Sequence, residues 1–149
     1  MTPVADPSIP VQRGIRSLLT ADAELMAMVA GVWDEPPERI PDGAPAAWVV
    51  FGTKQTTTDG DGVHGQNSRQ VILALDTWTR ARSSLPGDRV AARIVALLAR
   101  RPEALDPHVE GHTVWRIVWE DSLSLDDEDR EMRHRIDRFR IWTAQEEER

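Results

Sequence analysis

Between residues 88 and 101 the apolar side chains Val90, Ala91, Ile94, Leu97 and Leu98 fall on one stripe of a helix, with Arg89, Arg93, Ala96 and Arg100 opposite. This stripe constrains the fold most, because a one-sided helix is stable only when another apolar layer covers it. Pro102 stops the helix. The rest of the chain offers mostly β pattern as the cover. Residues 47–51 form an apolar β-branched and aromatic run, 69–79 form a long strand, and 112–125 and 132–143 form two more around an acidic turn at 126–131. A short strand at Val32 and Trp33 precedes a proline-rich loop over 35–45.

The N-terminal third adds a second helix. Val11, Ile15, Leu18 and Leu19 share one face, and Leu25, Met28 and Val29 continue it. Gly14 weakens this helix by about 1 kcal/mol relative to alanine. Thr20 is the expected cap of its second part, with Asp22 and Glu24 just inside, and Gly31 is the expected stop. The element order is then α, β, β, β, α, β, β. Hairpins dominate the connections, so the expected fold is α+β: a mainly antiparallel sheet of four to five strands packed against two helices on one face. Residues 1–10 read as a flexible arm, 11–143 as a single domain and 144–149 as an acidic tail.

Three features suggest work done through surfaces. Residues 52–68 (GTKQTTTDGDGVHGQNS) carry Val63 as their one apolar side chain, too little to hold a loop in place. Charge is segregated: acids cluster at 126–131 and 146–148, with Arg133, Arg135, Arg138 and Arg140 between them. On the last two strands, alternation puts Trp115, Ile117 and Trp119 on one face and Val114, Arg116, Val118 and Glu120 on the other. Arg138 and Arg140 share a face with Ile136 and Trp142. Such mixed faces suit a sheet with a helix on one side and a neighbouring subunit on the other, or one whose far side is simply amphipathic. The six tryptophans fit either a core or an interface.

Several chemistries are excluded or unsupported. The chain has no cysteine, which removes disulfides and thiol catalysis and suits synthesis in a reducing cytoplasm. No apolar run approaches the roughly 18 residues a membrane helix needs, and no export signal is visible. The net charge of −7 lacks the basic footprint of a double-stranded DNA binder. His108, Glu110 and His112 alternate as metal ligands on a strand could, making a metal-dependent hydrolase the remote catalytic alternative, but Pro107 and Gly111 read as a loop. Asp59 and Asp61 resemble the start of a calcium loop that then fails at Val63 and Gln70. Gly60, Gly62 and Gly65 match dinucleotide-fingerprint spacing, but a strand follows them instead of a helix. No catalytic residue, metal or cofactor is expected.

The ordered set LLTADAELMAMVAGVWDEPPE, APAAWVVFG, a polar loop, VILALDTWTRARS and a basic amphipathic helix resembles the phage tail-completion family, also called tail terminators or head–tail joining proteins. The likeness covers most of 11–143, including the closing strands that end in Arg138, Phe139 and Arg140.

The resemblance implies an α+β structural subunit of the virion, made in the host bacterium. It implies a homo-oligomeric ring, expected to be a hexamer, at the head-proximal end of the tail tube. There it meets the tube protein on one side and the head–tail connector, or neck, on the other. DNA would be only a passing cargo, repelled by an acidic lumen. No membrane is implied. Candidate assembly residues are Thr56, Thr57, Asp59, Asp61 and His64 of the polar loop, with Arg80, Arg82, Glu120, Asp127, Arg133, Arg138 and Arg140. The alternative is another neck or tail subunit: an adaptor, a stopper or a tube protein.

Overall fold

Helix α1 (Ser8–Thr20) begins before Pro10, inside the segment expected to be an arm. A proline in the first turn is tolerated because the N–H it lacks would have no helical partner there. Pro7 and Ser8 are buried, and the preceding residues are tied down at the surface. Ala5 N donates to Gln145 Oε1 at 3.0 Å, and Gln145 Nε2 donates to the Pro3 carbonyl at 2.8 Å. The computed structural model describes residues 3–58, 68–126 and 131–146.

Helix α2 (Ala23–Met28) is capped by Asp22, two residues later than the sequence suggested. Asp22 Oδ2 accepts from Leu25 N at 2.9 Å, whereas the Thr20 hydroxyl turns back to the Arg16 carbonyl at 2.7 Å. A carboxylate competes better for the helix N–H groups than a hydroxyl that already has a carbonyl within reach. The helix ends at Met28. Gly31 instead provides room for the Trp33 ring, which a Cβ at Gly31 would meet at 2.5 Å.

The remaining elements are β1 (Val32–Trp33), β2 (Ala47–Thr58), β3 (Ser68–Arg80), α3 (Leu85–Leu98), α4 (Pro102–Leu105) with a 3-10 turn (Asp106–His108), β4 (His112–Asp126) and β5 (Met132–Gln145). They build a five-stranded sheet in the order β1-β2-β3-β5-β4. The β1–β2 pair is parallel and the others are antiparallel. The expected α+β class, with a mainly antiparallel sheet, is what the chain adopts.

The start of the polar segment after Gly52, up to Thr58, is more ordered than its composition implied. Residues 54–58 pair with Arg69 to Leu73, so ladder hydrogen bonds and β-branched threonines hold what apolar burial could not. The core lies between the helices and one sheet face. It joins Val11, Ile15 and Leu19 of α1, Leu25 of α2 and Val90, Ile94 and Leu98 of α3 to Val49, Phe51, Val71, Leu73, Leu75, Ile117, Phe139 and Ile141. Gly14 belongs to this packing: a Cβ there would lie 2.8 Å from Val109 Cγ2 and 2.9 Å from the His108 carbonyl oxygen.

Two bulges in β4 overturn the simple alternation expected there. The register shifts between Val114 and Arg116, and again between Trp119 and Asp121. Val114 and Ile117 therefore both reach the core, although strict alternation puts them on opposite faces. Each extra residue turns the following side chains to the other side of the sheet.

Candidate functional site

Among the described residues, the face of the sheet turned away from the core is open, with no helix packed across it. The register places Trp33, Trp48, Val50, Gln55 and Thr57 there, with Gln70, Ile72, Asp76 and Trp78 of β3 alongside. His134, Ile136, Arg138, Arg140 and Trp142 of β5 continue the face, followed by Arg116, Asp121, Leu123 and Leu125 of β4. None of the six tryptophans belongs to the helix-side core. Trp33, Trp48, Trp78 and Trp142 stand on the open face, and the bulged Trp115 packs on Trp142 with ring centres 6.1 Å apart. Trp119 lies at the sheet edge and donates to Asp137 Oδ1 at 3.1 Å.

One half of this face is charged. Arg138 forks onto Asp121 and Arg140 reaches Glu120. Arg140 also donates to Gln70 Oε1 at 2.7 Å. The Arg116 guanidinium sits 4.5 Å from the Trp142 ring centre, a cation–π contact. The fork from Arg138 holds the Asp121 carboxyl below its ordinary range. These groups bridge β3, β5 and β4, and their heads reach solvent.

The other half is more apolar. His134 stacks on Trp78 with centroids 3.8 Å apart, and its Nε2 lies 3.2 Å from Asp76 Oδ2. Burial pushes the Asp76 carboxyl up, and His134 partly offsets that. Beside it, Trp48, Trp78 and Met132 face the loop residues Pro36, Pro37 and Ile40 across a groove of about 590 Å³.

The candidate residues from the sequence separate in space. Glu120, Arg138 and Arg140 come together on the open face, and Thr57 stands on the same face. Arg80 lines the groove. Thr56 points the other way and donates to Asp6 Oδ1 at 3.1 Å. Arg133 also lies on the helix side, where it donates to the Arg82 carbonyl at 2.6 Å and ties down the turn before α3. Asp59, Asp61, His64 and Asp127 lie outside the described residues. Sequence reading missed Arg116, Asp121, Trp142, Asp76 and His134. For Asp121, only the bulge at Glu120 turns its carboxylate to Arg138, and no composition signal marks a bulge.

The histidine–glutamate segment does not converge. His112 is buried, with Nδ1 3.0 Å from the Glu110 carbonyl oxygen, while His108 and Glu110 are exposed. Among the described residues no three His, Asp or Glu side chains form a group able to hold a metal ion.

The protein is thus a helix-backed sheet with tryptophan and paired charge on its other side. The sequence model described as "Tail completion protein gp17" matches residues 13–144, and the chain belongs to that family. It is a structural component of the phage virion tail with a tail-terminating role, as the ordered sequence blocks implied. Its fold is similar to that of a chain in the solved structure "Virion of native gene transfer agent (GTA) particle". That likeness has a TM-score of 0.76 at 18% identity and covers 93% of this chain and 97% of the other. A comparison with curated proteins finds none that matches.

Proposed function

We propose that this chain forms a closed ring of identical copies, expected to be a hexamer, at the head-proximal end of the tail tube. The ring stops the tube from growing and offers its opposite surface to the head-side connector. The chain performs no bond-making chemistry in this role and needs no metal or cofactor. The family match across residues 13–144 carries this reading. The open face supports it, because half-buried tryptophan beside solvent-reaching arginine presents the side chain types most enriched at protein contacts. Of the candidate residues, Glu120, Arg138 and Arg140 form its charged part, Thr57 stands on the same face, and Arg80 lines the groove in the other half.

The test is the native mass of the chain, free and recovered from particles. A single closed stoichiometry supports the ring. Open-ended polymers would instead make it a tube subunit, and its absence from particles would end the reading.

A further inference from the structure

Among the described residues, β2 and β4 are the long strands that lack a long neighbour on one side. Each of these edges is covered over part of its length. On β2, β1 pairs with Val49 and Val50, and the Ala47 carbonyl accepts from Ala30 N at 2.7 Å. On β4, Val114 N donates to Asp106 Oδ1 at 2.8 Å, and the Ile117 carbonyl accepts from Arg100 N at 3.2 Å. Arg100 makes that contact at a φ of 58°, a left-handed conformation unusual for a residue with a side chain.

Beyond the covered parts, both strands pass through a bulge and regain regular pairing. On β2 the regular stretch is 54–58, and on β4 it is 121–126. Among the described residues neither stretch has a backbone partner on its outer side. The registers place them at diagonally opposite corners of the sheet: 54–58 stands level with 139–143 of β5, whereas 121–126 pairs with 133–138. An uncovered edge with exposed Leu123 and Leu125 is a template for another strand.

We infer that residues 121–126 of one copy take up residues 54–58 of a second copy as an added antiparallel strand, so that the sheets of successive copies run on as one. The inference deepens the ring reading above and rests on it. Three observations select this partner. The stretches are similar in length, six residues and five. Strand directions alternate from β2 through β3 and β5 to β4, so a second β2 beside β4 continues the alternation and keeps every helix layer on the same side. The charges are also complementary: 121–126 holds Asp121 and Asp126 and no base, while 54–58 holds Lys54 and no acid. Two β4 edges meeting each other would bring acids to acids. The diagonal placement offsets each copy by about five residues, roughly 17 Å along the strands. A stagger of that kind is what closing a sheet on itself requires.

The chain has no cysteine, so introduced pairs report cleanly. Thr57 and Leu123 share the open face. Within one copy they stand three strand spacings apart, about 14 Å laterally, beyond the roughly 7 Å a disulfide can span. Oxidising particles assembled from the T57C/L123C chain is expected to give a ladder of disulfide-linked multimers, with either single variant unlinked. Gln55→Cys in place of Thr57→Cys covers a register two residues away. Dimers from L123C alone would replace the inference with a pairing of two β4 edges. Particles that contain the chain but yield no ladder from either double variant would overturn the inference and leave the ring reading standing. Loss of the unaltered chain from particles would overturn both.

Discussion

Asp137 offers the sharpest test of how the sheet is held to the helices. Its side chain is 1% exposed on the helix side of β5. It accepts from Arg135 Nε and Nη2 and from Trp119 Nε1, each at 3.1 Å. The same guanidinium reaches Asp88 Oδ1 of α3 at 3.1 Å. One carboxylate thus links β5 to β4, and to α3 through Arg135. Asp137→Ala strands a guanidinium that is itself largely buried and an indole N–H. Removing one partner of a buried pair typically costs about 3–5 kcal/mol. Arg135 keeps Asp88, which sets the expectation at the lower end, about 3 kcal/mol, a large share of a domain stability of about 5–15 kcal/mol. Asp137→Asn keeps an acceptor for Trp119 but not the charge, so its loss should be smaller. The assay is urea unfolding at neutral pH followed by tryptophan fluorescence. A loss below about 1 kcal/mol for Asp137→Ala, or a larger loss for Asp137→Asn, would refute the reasoning.

Gly14→Ala should destabilise the domain despite a helix-propensity gain of about 1 kcal/mol, because the added methyl group meets Val109 and the His108 backbone and overpacking costs about 1–3 kcal/mol; a denaturant midpoint above that of the parent would contradict this. Asp22 accepts a fork from Arg93 at 2.9 and 2.7 Å, and this pairing, with the Leu25 N–H, lowers its pKa to about 2. Because the folded pKa is depressed, the stabilisation is present above the ordinary carboxyl range and fades as pH falls through about 2. The stability difference between the parent and Asp22→Ala should therefore shrink between pH 4 and pH 2; a constant difference would be evidence against the pair. Replacing Arg138 and Arg140 with glutamine should cost little stability, because their heads reach solvent, yet sharply reduce the yield of finished particles; an unchanged yield would remove this face from assembly.

The main layers were legible in the sequence because hydrophobic period is a strong signal. Val90, Ala91, Ile94, Leu97 and Leu98 are all buried, as their stripe required. The strands were recovered with short ends: β2 runs on to Thr58 because a ladder needs a neighbour and backbone geometry more than apolar side chains. Other features depend on contacts that one-dimensional spacing does not carry. Gly14 reads as a weak helix residue until the His108 backbone is seen beside it. Asp22 displaces Thr20 as a cap partly because Arg93, 71 positions away, holds its carboxylate in place. The charged face was only half visible, since Glu120, Arg138 and Arg140 lie on mixed-pattern strands whose register depends on bulges.

Electron microscopy of particles carrying a gold label on this chain tests the central claim most directly. One cluster of label per tail, at the junction with the head, is the expected result. Label spread along the tube, or gathered at the far tip, would contradict it.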